Sequence, residues 1–163
     1  MKNGIALIVL ALAFLNAGAQ QPINTATVEE LVDKLAPQET VSRSMRNLAP
    51  VSRAIDLVIQ FEFDSARLQE ASKPLLTSLA QAMGTDRLKS LRFSVEGHTD
   101  AVGKVSYNQL LSEKRARTVL DFLQFKGIEK DRLMAQGKGS SELLLPDKPE
   151  AVENRRVRIT TLK

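Results

Sequence analysis

The chain has 163 residues, with 23 Lys and Arg against 19 Asp and Glu, a formal net charge of +4, one Tyr, no Trp and no Cys. Without Cys there is no disulfide framework, no thiolate chemistry and no lipid-bearing Cys behind a leader. The mild basic excess suits many polyanions and selects none. Nucleic acid is not an expected partner, because bases have almost no aromatic side chains to stack on.

Residues 1–19 read as a signal peptide. Met1-Lys2-Asn3 precedes an apolar run from Ile5 to Leu15, and Ala17-Gly18-Ala19 offers a small-x-small cleavage site before Gln20. The run is shorter than the roughly 20 residues a spanning helix needs. The expectation is an exported periplasmic protein with no transmembrane span in the mature chain. Losing Lys2 takes its net charge from +4 to +3.

Residues 20–53 form a second zone. Thr27 and Glu30 make a capping box, which predicts a short helix over Val28 to Leu35 that stops before Pro37. The rest reads as an extended linker in which Arg43, Arg46 and Arg53 are solvated charges.

The domain is expected over 54–163. Ile55, Leu57, Ile59, Phe61 and Phe63 alternate with polar or smaller residues, the period of a half-buried strand. A helix follows from about Ser72, with Pro74 in its first turn, an apolar face of Leu75, Leu76, Leu79, Ala80 and Met83, and Gly84 as its cap. Leu91, Phe93 and Val95 alternate in a second strand ending at Gly97. Ser106 and Gln109 suggest a capping box for the next helix, and Gly127 ends it. Short strands are expected over Leu133 to Gly137 and around Val157, Ile159 and Thr161. Strands separated by helices predict crossovers packed on one sheet.

One stretch carries chemistry. Gly97-His98-Thr99-Asp100 ends the second strand, and Asn108, Ser112 and Arg115 form a polar stripe on the core-facing side of the next helix. An unpartnered buried Arg is costly, so Arg115 needs a carboxylate, and Asp100 lies just before the helix. Two readings stand. Asp100 and Arg115 can form a structural ion pair, or they can clamp a small zwitterion, Arg115 and the helix N-terminus taking its carboxylate and Asp100 its ammonium. His98 is the only His and is expected to pack and hydrogen-bond. No second His supports a metal, and no nucleophile–base pair or phosphate loop stands out. Arg156 and Arg158 are expected on a solvated strand face, with Arg155 at the mouth of the pocket.

These residues are familiar in combination. Ile59-Gln60-Phe61-Glu62-Phe63-Asp64-Ser65-Ala66, Gly97-His98-Thr99-Asp100 with Gly103, Tyr107-Asn108, Leu111-Ser112, Arg115-Ala116, Gly127, Gly137 with Gly139, and Asn154-Arg155-Arg156-Val157 stand in the order of one family. The stretch from about Ile55 to Leu162 resembles the OmpA-like C-terminal domain, the peptidoglycan-binding module of outer-membrane proteins, peptidoglycan-associated lipoproteins and flagellar stator proteins. The resemblance implies an α+β fold, a βαβαββ two-layer sandwich with helices packed on one mixed sheet. It implies non-covalent, non-enzymatic binding of the wall's stem peptide at diaminopimelate, with no cofactor or metal. Asp100 and Arg115 match the acid and base that hold the diaminopimelate end group, Asn108 and Thr99 match pocket-wall positions, and Asp64 and Arg155 match flanking contacts. Ser140 to Glu153 departs from the pattern, with Leu143, Leu144 and Leu145 where the family often has a Pro. The expected location is the periplasm, wall-associated and close to the outer membrane. The alternative is an adaptor that docks other envelope proteins through residues 20–53. A small hydrolase built on His98, Glu96 and Asp100 ranks last.

Overall fold

The computed structural model describes residues 22–37 and 52–162. The expected leader, and Arg43 and Arg46 of the linker, lie outside the described residues.

Helix α1 (Val28–Leu35) starts at the Thr27 capping box: the Glu30 amide donates to Thr27 Oγ1 at 3.2 Å, and the Thr27 amide donates to Glu30 Oε2 at 2.9 Å. Then come β1 (Ala54–Leu57), α2 (Lys73–Met83), β2 (Arg92–His98), α3 (Val105–Phe125), β3 (Leu133–Gly139) and β4 (Val157–Leu162). The strands form one mixed sheet in the order β1-β4-β2-β3, parallel only between β2 and β3. The three helices pack on one face of it, an α+β fold with the βαβαββ order expected from residue 54 onwards.

Strand alternation decides the core. Ile55, Leu57, Phe93, Val95, Val157 and Ile159 are paired across strands and point under the helices, where Leu76, Leu79, Met83, Val119 and Leu123 meet them. Helix α1 contributes Leu31 and Leu35, both fully buried, to the same core. Ile23 also joins the outer edge of β1, its amide donating to the Asp56 carbonyl at 2.7 Å and its carbonyl accepting from the Val58 amide at 2.7 Å. Arg53 is not a solvated linker charge. Its Nε donates to the Lys34 carbonyl at 2.7 Å and its amide to Thr161 Oγ1 at 2.8 Å, pinning α1 to the end of β4.

The first strand is shorter than its alternation predicts. Pairing with β4 runs from Ala54–Thr160 to Leu57–Val157, and there β4 begins. Beyond Leu57 the chain has no partner strand and turns into a hairpin closed by a single Phe61–Leu68 bridge, with Phe63 fully exposed near its tip. β3 runs two residues further than expected, to Gly139, after a register shift at Gly97–His98.

The other sheet face is polar but not solvated at its centre. Asp56 pairs with Arg156 (Nε–Oδ1 2.8 Å) and Arg158 (Nη2–Oδ2 2.9 Å). Arg156 is 3% exposed and also donates to the Glu142 carbonyl at 3.1 Å. The solvated strand face expected for these two arginines is therefore a charge network, buried at Arg156 and half-buried at Arg158. Alternation placed them opposite the apolar core correctly, but the loop at Glu142 covers Arg156. Burial pushes the Asp56 carboxyl up, and the hydrogen bonds and charges of Arg158 and Arg156 outweigh that and hold it below the usual carboxylate range.

Candidate functional site

Two glycines set the frame. A Cβ on Gly97 would lie 2.2 Å from the Ser112 carbonyl oxygen, and one on Gly137 would lie 2.6 Å from the Glu113 amide nitrogen. Only glycine at both places lets the first half of α3 lie against the sheet backbone. Ser112, fully buried, donates its hydroxyl to the Gln109 carbonyl and accepts the Gly139 amide, both at 2.8 Å. Gln109 donates Nε2 to the Gly137 carbonyl at 2.8 Å. The capping box expected from Ser106 and Gln109 does not form: α3 begins at Val105 with Lys104 as N-cap and no side-chain cap bond, so Ser106 lies inside the helix, and the Gln109 side chain turns to β3 instead. The core-facing stripe is Asn108, Ser112, Ala116, Val119, Leu120 and Leu123, while Leu111 and Arg115 are only half-buried.

This close seam delivers the loop after β2 to the first turns of α3. Thr99 and Asn108 are both buried. Thr99 Oγ1 donates to the Asp100 carbonyl at 2.8 Å, and Asn108 Nδ2 donates to the carbonyls of Asp100 (3.2 Å) and Val102 (3.0 Å). Both side chains hold the backbone of Asp100 in place. Asn154, fully buried, staples the loop that departs from the family pattern, accepting from the Leu145 amide and donating to the carbonyls of Lys148 and Pro149. The Pro149 carbonyl in turn accepts the Ala101 amide at 2.9 Å, so this loop backs the Asp100 turn.

Asp100 is 8% exposed. One carboxylate oxygen accepts the Val102 amide at 3.1 Å, and the other pairs with Arg155 Nη1 at 2.8 Å. The structural ion pair considered for Asp100 and Arg115 does not form. Arg155, at the turn before β4, reaches Asp100 first. Arg115 instead donates Nε to the Ser65 carbonyl at 3.0 Å and lies over the Phe61 ring, its guanidinium carbon 5.0 Å from the centroid. Among the described residues it makes no ion pair. Burial pushes the Arg115 guanidinium below its ordinary value, yet it stays charged at any physiological pH.

Asp64 stands at the hairpin tip in the left-handed backbone region, φ +49°. Tyr107, on the first turn of α3, donates its hydroxyl to Asp64 Oδ1. Tyr107 belonged to the recognised motif but had no role in the sequence reading. Its position at the start of the helix, one turn before Leu111, was the available signal. The structure thus brings Asp64, Asp100, Arg115 and Arg155 to one end of the sheet, two carboxylates and two guanidiniums. Beside the two site arginines a narrow cleft of about 20 Å³, lined by Arg115 and Arg155 with Ile59, Phe61, Gly97, His98, Arg156 and Val157, has room for a group the size of one water. Such a balanced set suits a ligand that carries both charges.

His98 is 2% exposed, and neither ring nitrogen has a hydrogen-bond partner among the described residues. It packs, but it does not hydrogen-bond through its ring as expected. Its charged neighbours are Arg156, Arg158, Asp56 and Glu142, and burial together with the two arginines pushes it down to about 4. No group of metal-binding side chains is present among the described residues, and no helix there is long and apolar enough to cross a membrane.

Comparison with known proteins agrees with the fold. The OmpA family matches residues 60–158. Outer membrane porin F of Pseudomonas aeruginosa is 41% identical over 88 residues, which cover 53% of this chain and 25% of that protein. The chain spans less than half the length of the curated relatives it matches. The crystal structure of the peptidoglycan-associated lipoprotein from Burkholderia pseudomallei is similar with a TM-score of 0.55 at 27% identity, covering 64% of this chain and 88% of that one. The OmpA-like domain of FopA1 from Francisella tularensis shares the fold with a TM-score of 0.58 at 23% identity, over 90% of both chains.

Proposed function

We propose that this chain, which belongs to the OmpA family, binds peptidoglycan non-covalently in the periplasm. It grips the zwitterionic end of diaminopimelate in the stem peptide and so tethers the cell envelope to the wall. The observation that carries this reading is the state of Arg115. Its Nε is fixed by the Ser65 carbonyl and its plane by Phe61, and among the described residues no carboxylate pairs with it. The terminal nitrogens are oriented to take a ligand carboxylate through two hydrogen bonds. The ligand's ammonium meets the acidic side of the site, where Asp100 is held by Thr99 and Asn108. Among the relatives, a lipoprotein named for its association with peptidoglycan supports the ligand class. The task is recognition, and no bond in the ligand is broken.

Sedimentation with purified sacculi tests this. Asp100→Ala and Arg115→Ala, each still folded, should lose on the order of tenfold or more in affinity, the usual effect of truncating one member of a desolvated charge pair. Wild-type sedimentation of both variants would overturn the clamp. The adaptor reading has less support, because α1 turns its apolar face into the core rather than outward.

A further inference from the structure

The hairpin tip is tied to α3 at two adjacent residues. The Tyr107 hydroxyl donates to Asp64 Oδ1, and Arg115 Nε donates to the Ser65 carbonyl at 3.0 Å. Asp64 is the one non-glycine residue with positive φ among the described residues, a conformation that Asp tolerates better than most side chains, and the two ties fix the tip that it shapes.

The two carboxylates of the site are held differently. Asp100 is paired with a cation, Arg155, which compensates its charge. Asp64 is held by a neutral phenol and, among the described residues, makes no ion pair. The hydrogen bond to Asp64 pushes the Tyr107 phenol up, which keeps it a neutral donor. A neutral donor orients a carboxylate without cancelling its charge. Asp64 therefore carries the uncompensated negative charge of the site, with Oδ2 taking no hydrogen bond among the described residues. Arg115 is tied to Ser65, next in the chain to Asp64, so Asp64 stands on the hairpin side of the guanidinium that receives the ligand's carboxylate.

We propose that Tyr107 is a positioning residue for the ligand's ammonium: it holds Asp64 so that the second oxygen, together with Asp100, receives the positive end of a zwitterion seated on Arg115. The inference rests on the reading of the site as a zwitterion clamp. It adds a residue to the clamp and moves the main ammonium contact towards Asp64.

A double-mutant cycle tests it, with meso-diaminopimelate as the probe and affinities measured by calorimetry. Asn tolerates the left-handed conformation and still accepts the Tyr107 hydroxyl, so Asp64→Asn removes the charge and keeps the turn. Tyr107→Phe should weaken binding about three- to tenfold, the range of one lost hydrogen bond. Asp64→Asn should weaken it more, and the double variant should bind like Asp64→Asn alone, because Tyr107 acts through that carboxylate. An unchanged affinity for Tyr107→Phe, or single effects that multiply in the double variant, would overturn the proposal while leaving the clamp intact. Wild-type protein that fails to bind meso-diaminopimelate at all would overturn both.

Discussion

Asp100 pairs with Arg155 at 2.8 Å and leaves Arg115 to the Ser65 carbonyl and the face of Phe61. The consequence is a division of labour between two arginines. Arg155, at the turn before β4, orients the acid. Arg115, on α3, makes no ion pair among the described residues, which is what the proposed clamp requires of it.

Arg155→Ala should act on binding more than on stability. The Arg155 side chain is 47% exposed but that of Asp100 only 11%, and the carboxylate keeps the Val102 amide, so the loss should be about 1–3 kcal/mol. The urea midpoint should fall by that modest amount. Sacculus affinity should fall severalfold, because Asp100 loses the partner that orients it. Unchanged sedimentation would show that Arg155 is a bystander.

Gly97→Ala should damage the fold itself. The added Cβ meets the backbone of Ser112 and not a flexible side chain, so α3 must shift on the sheet. The expected loss is about 2 kcal/mol or more in equilibrium denaturation. Gly137→Ala should act the same way, since its nearest neighbour is also backbone.

The Asp56 network should show the asymmetry of buried charge. Asp56→Ala strands Arg156, whose side chain is 1% exposed, and should cost about 3–5 kcal/mol. Arg158→Ala leaves Asp56 with Arg156 and should cost clearly less, because the Arg158 side chain is 29% exposed. Equal losses in urea denaturation would contradict the arrangement.

Acid should weaken the protein in two steps. His98 has a folded value of about 4 against an ordinary 6.5, so the unfolded chain binds the proton first. Stability is complete above pH 6.5 and declines as the pH falls towards 4, by about 2–3 kcal/mol. Asp56 adds a second loss below its ordinary 3.8, since its carboxyl is held low in the folded state. Denaturation at pH 7 and pH 4.5 checks the first step. With one His in the chain, its NMR titration gives a single curve, and a midpoint near 6.5 would refute the burial argument.

Leu35→Ala in α1 should cost about 2–5 kcal/mol, as a fully buried leucine does. This helix lies before the residues that match the family. One cooperative unfolding transition with that loss would show that α1 belongs to the folded unit. An unchanged midpoint would show that it does not.

Much of the fold was readable because its signals are local. The capping box at Thr27, the alternation in Phe93 and Val95, and the stop near Gly127 each need only a few neighbouring residues. The first strand was overestimated for a non-local reason: its alternation continues to Phe63, but its partner begins at Val157. The capping box at Ser106 failed because the helix begins one residue earlier, at Val105, and the Gln109 side chain serves β3, a partner distant in sequence.

Residue type and helical spacing already place Asp100, Asn108, Ser112 and Arg115 near one another in the linear chain. Which acid pairs with which base was not legible there. Arg155 and Asp64 lie far from Asp100 and Tyr107 in sequence, and only folding sets the distances between them. Electrostatic and hydrogen-bond energies fall steeply with distance and burial. The same charges therefore became an Asp100–Arg155 pair, an Arg115 held by Ser65 and Phe61 and an Asp64 held by Tyr107 once the sheet, helix and hairpin had brought them together.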